Sequence, residues 1–152
     1  MKLVRITNIE QREVATDLWF RIFPDEPYWI KKYVINKLYD PRNRRQKPGQ
    51  PYFVAYHRNK PVGLSGFYKE KTGEYWLGWF GVLSKYQNQG LGSKILDATI
   101  NELKASHPNV NYFYLWTEGS RAVQNFYRKN GFKYFGELHV WATDAKIFRK
   151  AI

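Results

Sequence analysis

Apolar positions along the chain follow two rhythms, and the places where one gives way to the other mark its elements. Lys2 to Thr7 alternates like a first strand, and Glu10 to Phe23 carries Val14, Leu18 and Ile22 at helical spacing before Pro24 stops it. Tyr28 to Leu38 predicts a second helix, with Ile30, Val34 and Leu38 on one stripe. Pro51 to His57 and Val62 to Tyr68 read as short strands joined by a hairpin turn at Arg58-Asn59-Lys60-Pro61. Glu74 to Val82 is a third run, aromatic and β-rich. Gly92 to Ser106 predicts a helix whose Ile95, Leu96, Thr99, Ile100 and Leu103 share one face. Val110 to Thr117 reads as a buried strand, Ser120 to Asn130 as a helix, Phe132 to Trp141 as a long strand and Ala145 to Ile152 as a last one. Strands come first and then alternate with helices, which predicts an α+β fold around a mixed sheet.

Composition narrows this picture. A length of 152 residues suits one domain spanning 1–152, and 43% apolar with 18% aromatic residues predicts a globular chain with large side chains to bury or to line a pocket. Cysteine is absent, which removes disulfides, cysteine-based zinc sites and thiol nucleophiles together, and no metal site is expected. No stretch is long and apolar enough for a signal peptide or a membrane span, so a cytoplasmic protein without membrane contact is expected. Lys and Arg number 25 against 13 Asp and Glu, a formal charge of +12 that attracts anions: nucleic acid, acidic lipid or a polyphosphate cofactor. The densest basic run, Arg42-Asn43-Arg44-Arg45-Gln46-Lys47, is flanked by Pro41, Pro48 and Pro51 and reads as an exposed loop, more simply solvated than dedicated to nucleic acid.

Chemistry concentrates after the third run. Val82 ends an apolar strand, and Gln87-Asn88-Gln89-Gly90-Leu91-Gly92-Ser93 then spells Q-x-x-G-x-G ahead of an amphipathic helix. Glycines let the backbone approach a ligand, and the helix start offers unpaired N–H groups with a partial positive charge, so a diphosphate is the expected guest. Further on, Ser120 is placed as an N-cap and Gly131 as the left-handed residue that closes the same helix. Between them Val123, Phe126, Tyr127 and Asn130 share a face, where Tyr127 taken alone reads as a core aromatic.

The loop Gln87-x-x-Gly90-x-Gly92, together with Asn125-Phe126-Tyr127-Arg128-Lys129-Asn130-Gly131-Phe132 downstream, resembles the two signature motifs of the GNAT superfamily of acetyl-CoA-dependent N-acetyltransferases. The resemblance covers about Glu74 to Phe135 and implies α/β/α layers around a mostly antiparallel sheet of about seven strands with about four helices. It further implies that the backbone of Phe80-Gly81-Val82 pairs with the pantetheine arm of acetyl-CoA, while Gln87 to Ser93 wraps the pyrophosphate. Tyr127 takes the place of a tyrosine beside the cofactor sulfur, a general acid for the leaving thiolate. Ser120 replaces a cofactor-binding asparagine and Val123 a common alanine. A neutral amine would attack the thioester directly in a ternary complex, with the oxyanion held by a backbone N–H.

The family's strand glutamate is missing, since Trp76 and Gly78 occupy the equivalent positions. Alternation puts Glu74 on the face of Trp76, Gly78 and Phe80, so Glu74 is the candidate base acting through water, against a plain surface carboxylate. Glu118 is a second candidate, and His57, His107 and His139 read as surface or structural. The acceptor region offers Asp25, Glu26 and Trp29 with Trp19, Phe23, Tyr28 and Trp76, suited either to a cationic amine or to a core with helix-start charges. An acetyltransferase for a primary amine of a small molecule or peptide is the preferred function, with nucleic acid not expected as partner. The other reading is a catalytically weak basic module on the same fold that holds nucleic acid or another anion. The aromatic final strands offer surface for a homodimer.

Overall fold

The computed structural model describes residues 1–40, 50–140 and 143–152. The basic run Arg42 to Lys47 with Pro41 and Pro48, and the Trp141 end of the predicted long strand, lie outside the described residues. In chain order the elements are β1 (Lys2–Arg5), α1 (Ile9–Ile22), α2 (Tyr28–Tyr33) continued by a π-helical turn (Val34–Leu38), β2 (Tyr52–His57), β3 (Lys60–Lys69), β4 (Tyr75–Leu77) and β5 (Gly81–Val82). After a 3-10 turn (Ser84–Tyr86) come α3 (Leu91–Ser106), β6 (Tyr112–Thr117), α4 (Arg121–Lys129), β7 (Lys133–Val140) and β8 (Thr143–Ala151). No helix among the described residues is long and apolar enough to cross a membrane.

All strands join one sheet in the order β1-β2-β3-β4-β6-β8-β7, with β5 paired to β3. Every pairing is antiparallel except β4 with β6, which is parallel. Helix α1 packs on β2 and β3, and its Leu18 and Trp19 join Val34, Tyr52, Val54 and Leu64 in one core layer. Helix α3 packs on β1, β3 and β5 from the other side, where Leu96 and Leu103 meet Phe53, Phe67, Phe113 and Phe148. The β2–β3 turn is tighter than predicted. Arg58 and Asn59 alone make it, both at positive φ (51° and 60°), while Lys60 and Pro61 belong to β3.

The run expected as one strand from Glu74 to Val82 is broken, and the break organises the molecule. Phe67 pairs with Leu77 and Leu64 with Gly81, so three residues, Gly78-Trp79-Phe80, stand opposite two, Ser65 and Gly66. This is a β-bulge, and Trp79 takes φ 36° within it. Alternation therefore fails at this point: Trp76 stacks on Tyr114, Trp79 packs on Trp19 and Phe23, and Phe80 turns to the opposite side against Phe126 and Tyr127. Counted from Leu77, regular alternation would send Trp79 toward α3 and Phe80 toward α1; the extra residue reverses both, so Trp79 enters the α1 core layer and Phe80 the opposite one. Gly78 admits the close approach of Tyr52, whose hydroxyl would lie 2.9 Å from a Cβ at that position.

Behind the bulge, the Ser65 and Thr99 hydroxyls are buried and 2.7 Å apart. Thr99 donates to the Ile95 carbonyl at 2.8 Å, so Ser65 must donate to Thr99, and the pair ties α3 to β3. Thr99→Val leaves the Ser65 hydroxyl buried without its acceptor. It is expected to cost about 1–3 kcal/mol of stability in urea unfolding, whereas the double replacement Ser65→Ala/Thr99→Val recovers part of that loss.

Candidate active site

Helix α3 begins without a side-chain cap. Gly90 stands at its N-cap in the left-handed region (φ 74°), following Asn88, also at positive φ (59°). The contrast with α1, whose start is capped by Asn8 accepting from the Gln11 N–H, is chemical: first-turn N–H groups of α3 have no side-chain cap. A Cβ at Gly90 would meet nothing within 4 Å, so the approach to this helix start is open. Gln87 to Gly90 are exposed, Leu91 is buried, and Gly92 and Ser93 are half-buried in the first turn. The glutamine side chains shape the loop itself, Gln87 donating to the Val82 carbonyl at 3.0 Å and Gln89 to the Lys85 carbonyl at 3.1 Å.

Beside this loop the sheet opens. Pairing of β4 with β6 ends at Trp76–Tyr114, and past the bulge β5 pairs only with β3. The edges of β5 and of the second half of β6 thus diverge, each leading to a helix start, α3 from the first and α4 from the second. Phe80 lines the divergence, stacked at 5.9 Å on Phe126 and 6.3 Å from Tyr127. Tyr127 is 8% exposed and boxed by Phe80, Phe126 and Phe132, and burial pushes its phenol well above the ordinary tyrosine range. Phe126, which the sequence placed only on a helix face, also stands 3.2 Å from where a Cβ on Gly92 would be, so α3 and α4 meet there. Ser120 caps α4 by accepting from the Val123 N–H at 3.5 Å, the role its position predicted.

The predicted base is not brought to this cleft. Glu74 lies in the β3–β4 turn, at the opposite end of the run from the bulge, and its carboxylate accepts from the Thr72 hydroxyl, which holds its pKa below the ordinary range. A stabilised carboxylate some five residues, or about 16 Å of strand, from the bulge is a turn residue. Different carboxylates come together instead. Glu26, in the α1–α2 connection, feels burial first, then the like charges of Glu118 and Asp25, and all three raise its pKa against the lowering effect of Lys31. Glu26 and Glu118 are 92 positions apart, and no sequence signal links them. Trp29 stands exposed on the first turn of α2. Trp76 lies on the face of Tyr114, its indole N–H buried and unpaired among the described residues. Of the histidines, His139 pairs with Asp144 at 2.9 Å, His107 stacks on Tyr75 at 4.6 Å, and His57 lies beside Arg58 and Lys94.

The sheet is thus splayed after a bulge, beside an uncapped helix start and a buried tyrosine. The chain belongs to the GNAT acetyltransferases: the family's acetyltransferase (GNAT) domain matches residues 48–134. Solved structures share the fold over nearly the whole chain. A GNAT-family acetyltransferase from Staphylococcus aureus Mu50 superposes with a TM-score of 0.75 at 19% identity, covering 99% of this chain and 98% of that one. The ribosomal-protein-S18-alanine N-acetyltransferase of Escherichia coli gives 0.73 at 20% identity, covering 99% and 93%. An aminoglycoside 6'-N-acetyltransferase complexed with coenzyme A gives 0.73 at 15% identity, covering 99% and 97%. Comparison with curated proteins by sequence gave no match.

Because burial and a like charge both disfavour its ionised form, Glu26 keeps its proton to higher pH than a free glutamate. Glu118→Gln removes one of those causes, and the Glu26 carboxyl is expected to titrate at lower pH in the variant. Carboxyl carbon NMR across the acid range reads the change; an unmoved or raised Glu26 titration contradicts the pairing.

Proposed function

We propose that the protein transfers an acetyl group from acetyl-CoA to a primary amine of a small molecule or peptide, by direct attack in a ternary complex. The observation that carries this reading is the divergence of β5 from β6 beside an uncapped helix start. Acetyl-CoA supplies the activated thioester. On the chain's side, the N–H groups at Leu91, Gly92 and Ser93 suit a pyrophosphate, with Gln87, Asn88 and Gln89 forming the loop that leads to Gly90. The backbone of Phe80, Gly81 and Val82, without a β6 partner, suits an amide-bearing arm lying along the strand. Ser120, its hydroxyl occupied at the α4 cap, contributes through the helix start it organises.

Tyr127 is the donor to the leaving sulfur. A thiol titrates near 8.5, below even an unperturbed phenol, so complete transfer of the Tyr127 proton to a thiolate is uphill. Its main contribution is a hydrogen bond from a phenol that burial keeps protonated. On the other side of the divergence, a lysine-like amine costs roughly 4–5 kcal/mol to neutralise at pH 7. Glu26, with its raised pKa, can accept that proton directly or through water, and Asp25, Glu118, Trp29 and Trp76 suit a cationic acceptor by ion pairing and ring contact.

The test is thiol release from acetyl-CoA by the purified protein across a panel of amines and basic peptides. Release that depends on both the amine and the protein supports the reading; absence of acetyl-CoA binding in a calorimetric titration overturns it. Tyr127→Phe is expected to lower kcat by about 10–100-fold with KM for acetyl-CoA nearly unchanged. Gly90→Val forces a β-branched residue to φ 74° and sets its side chain over the open helix start, so acetyl-CoA affinity is expected to fall at least tenfold by calorimetry.

A further inference from the structure

Helix α1 covers the β2–β3 half of one sheet face, and no described helix packs over the continuation of that face onto β6, β8 and β7. Its side chains are an array of rings around one guanidinium. Trp76 stacks on Tyr114 at 5.2 Å, Tyr114 meets Phe135 edge-on at 5.7 Å, and Arg149 lies 4.2 Å from the Tyr112 ring and 4.1 Å from that of Phe135. Arg149 also donates to the Tyr114 hydroxyl at 3.4 Å. The outer rings are not enclosed: Tyr112 is 40% and Phe135 51% exposed.

Along β6, β7 and β8 the charged side chains on this face are cationic. Lys133 pairs directly with Arg149 and so shares its side of the sheet. The two carboxylates of these strands are on the other side: Glu137 pairs with Lys146, and Lys146 and Asp144 both alternate with the helix-side Phe148. A second copy of a chain carrying +12 would meet the same cations there, whereas a polyanion with flat apolar rings is complementary to both the charge and the aromatics. Rings presented on an open sheet beside arginine are the general means by which proteins hold unpaired bases.

We propose that the face formed by Tyr112, Tyr114, Phe135 and Arg149 binds single-stranded RNA, its bases stacking on the exposed rings and its phosphates facing Arg149 and Lys133. This role is independent of acetyl transfer.

Fluorescence anisotropy with a labelled single-stranded RNA of about ten nucleotides, at about 0.15 M salt, tests it, with the matching duplex in parallel. The wild-type protein is expected to prefer the single strand. Tyr112→Ala and Phe135→Ala, both at exposed positions, should each weaken that binding about tenfold while leaving the duplex affinity, thermal unfolding and thiol release unchanged. Lys60→Gln, at the start of β3 and away from this face, should affect single strand and duplex alike. Aromatic variants that bind as wild type, or equal affinity for duplex and single strand, overturn the proposal. So does a wild-type dimer in sedimentation that Phe135→Ala converts to monomer, which would make the face an interface between copies.

Discussion

The bulge at Gly78-Trp79-Phe80 is the constraint on which the rest depends. One extra residue in the strand opposite Ser65 and Gly66 sends Trp79 into the α1 core layer and Phe80 into the α3–α4 layer, so two bulky neighbours anchor opposite sides of the sheet. The same residue ends the β4–β6 ladder and makes the sheet diverge. A regular strand would have continued the pairing and closed the cleft. The bulge is held from one side by Tyr52 packed against Gly78, and from the other by the buried Ser65–Thr99 hydroxyl pair that fixes α3 beneath it.

Around that opening the two ends of an acyl transfer have opposite electrostatics. The α3 start presents unpaired N–H groups through a left-handed glycine, a local positive site within a basic protein. The α1–α2 connection and the end of β6 place Glu26 near Glu118, and their mutual repulsion together with burial raises the Glu26 pKa. Tyr127 is desolvated by rings from the approach to β5, from α4 and from the residue before β7.

The free sheet face has the same origin. Because α1 packs on β2 and β3 while α3 and α4 lie against the other face, the aromatic positions of β6 and β7 on the α1 side cover one another. They do so through Arg149, whose flat guanidinium fills the gap between two rings that would otherwise expose more apolar area.

Element order, the Gly90 turn, the Ser120 cap and the Gly131 terminator were all legible in the sequence, because each rests on local backbone preference or on a period of two or 3.6 residues. The motif around Tyr127 was legible for the same reason, since its residues lie on one short helix. Alternation carried from Glu74 to Phe80 breaks down at Phe80 because the run contains an extra residue, and a bulge leaves no mark on composition; Glu74 itself lies before the bulge, in the β3–β4 turn. The register between Ser65 and Trp79, the meeting of Glu26 with Glu118 and the ring array around Arg149 join residues far apart in the chain. Those contacts depend on which strands neighbour each other and how far each is shifted. Sequence by itself determined the order of the elements and the left-handed glycine turn ahead of α3; only tertiary packing decided where the sheet opens and which side chains face the opening.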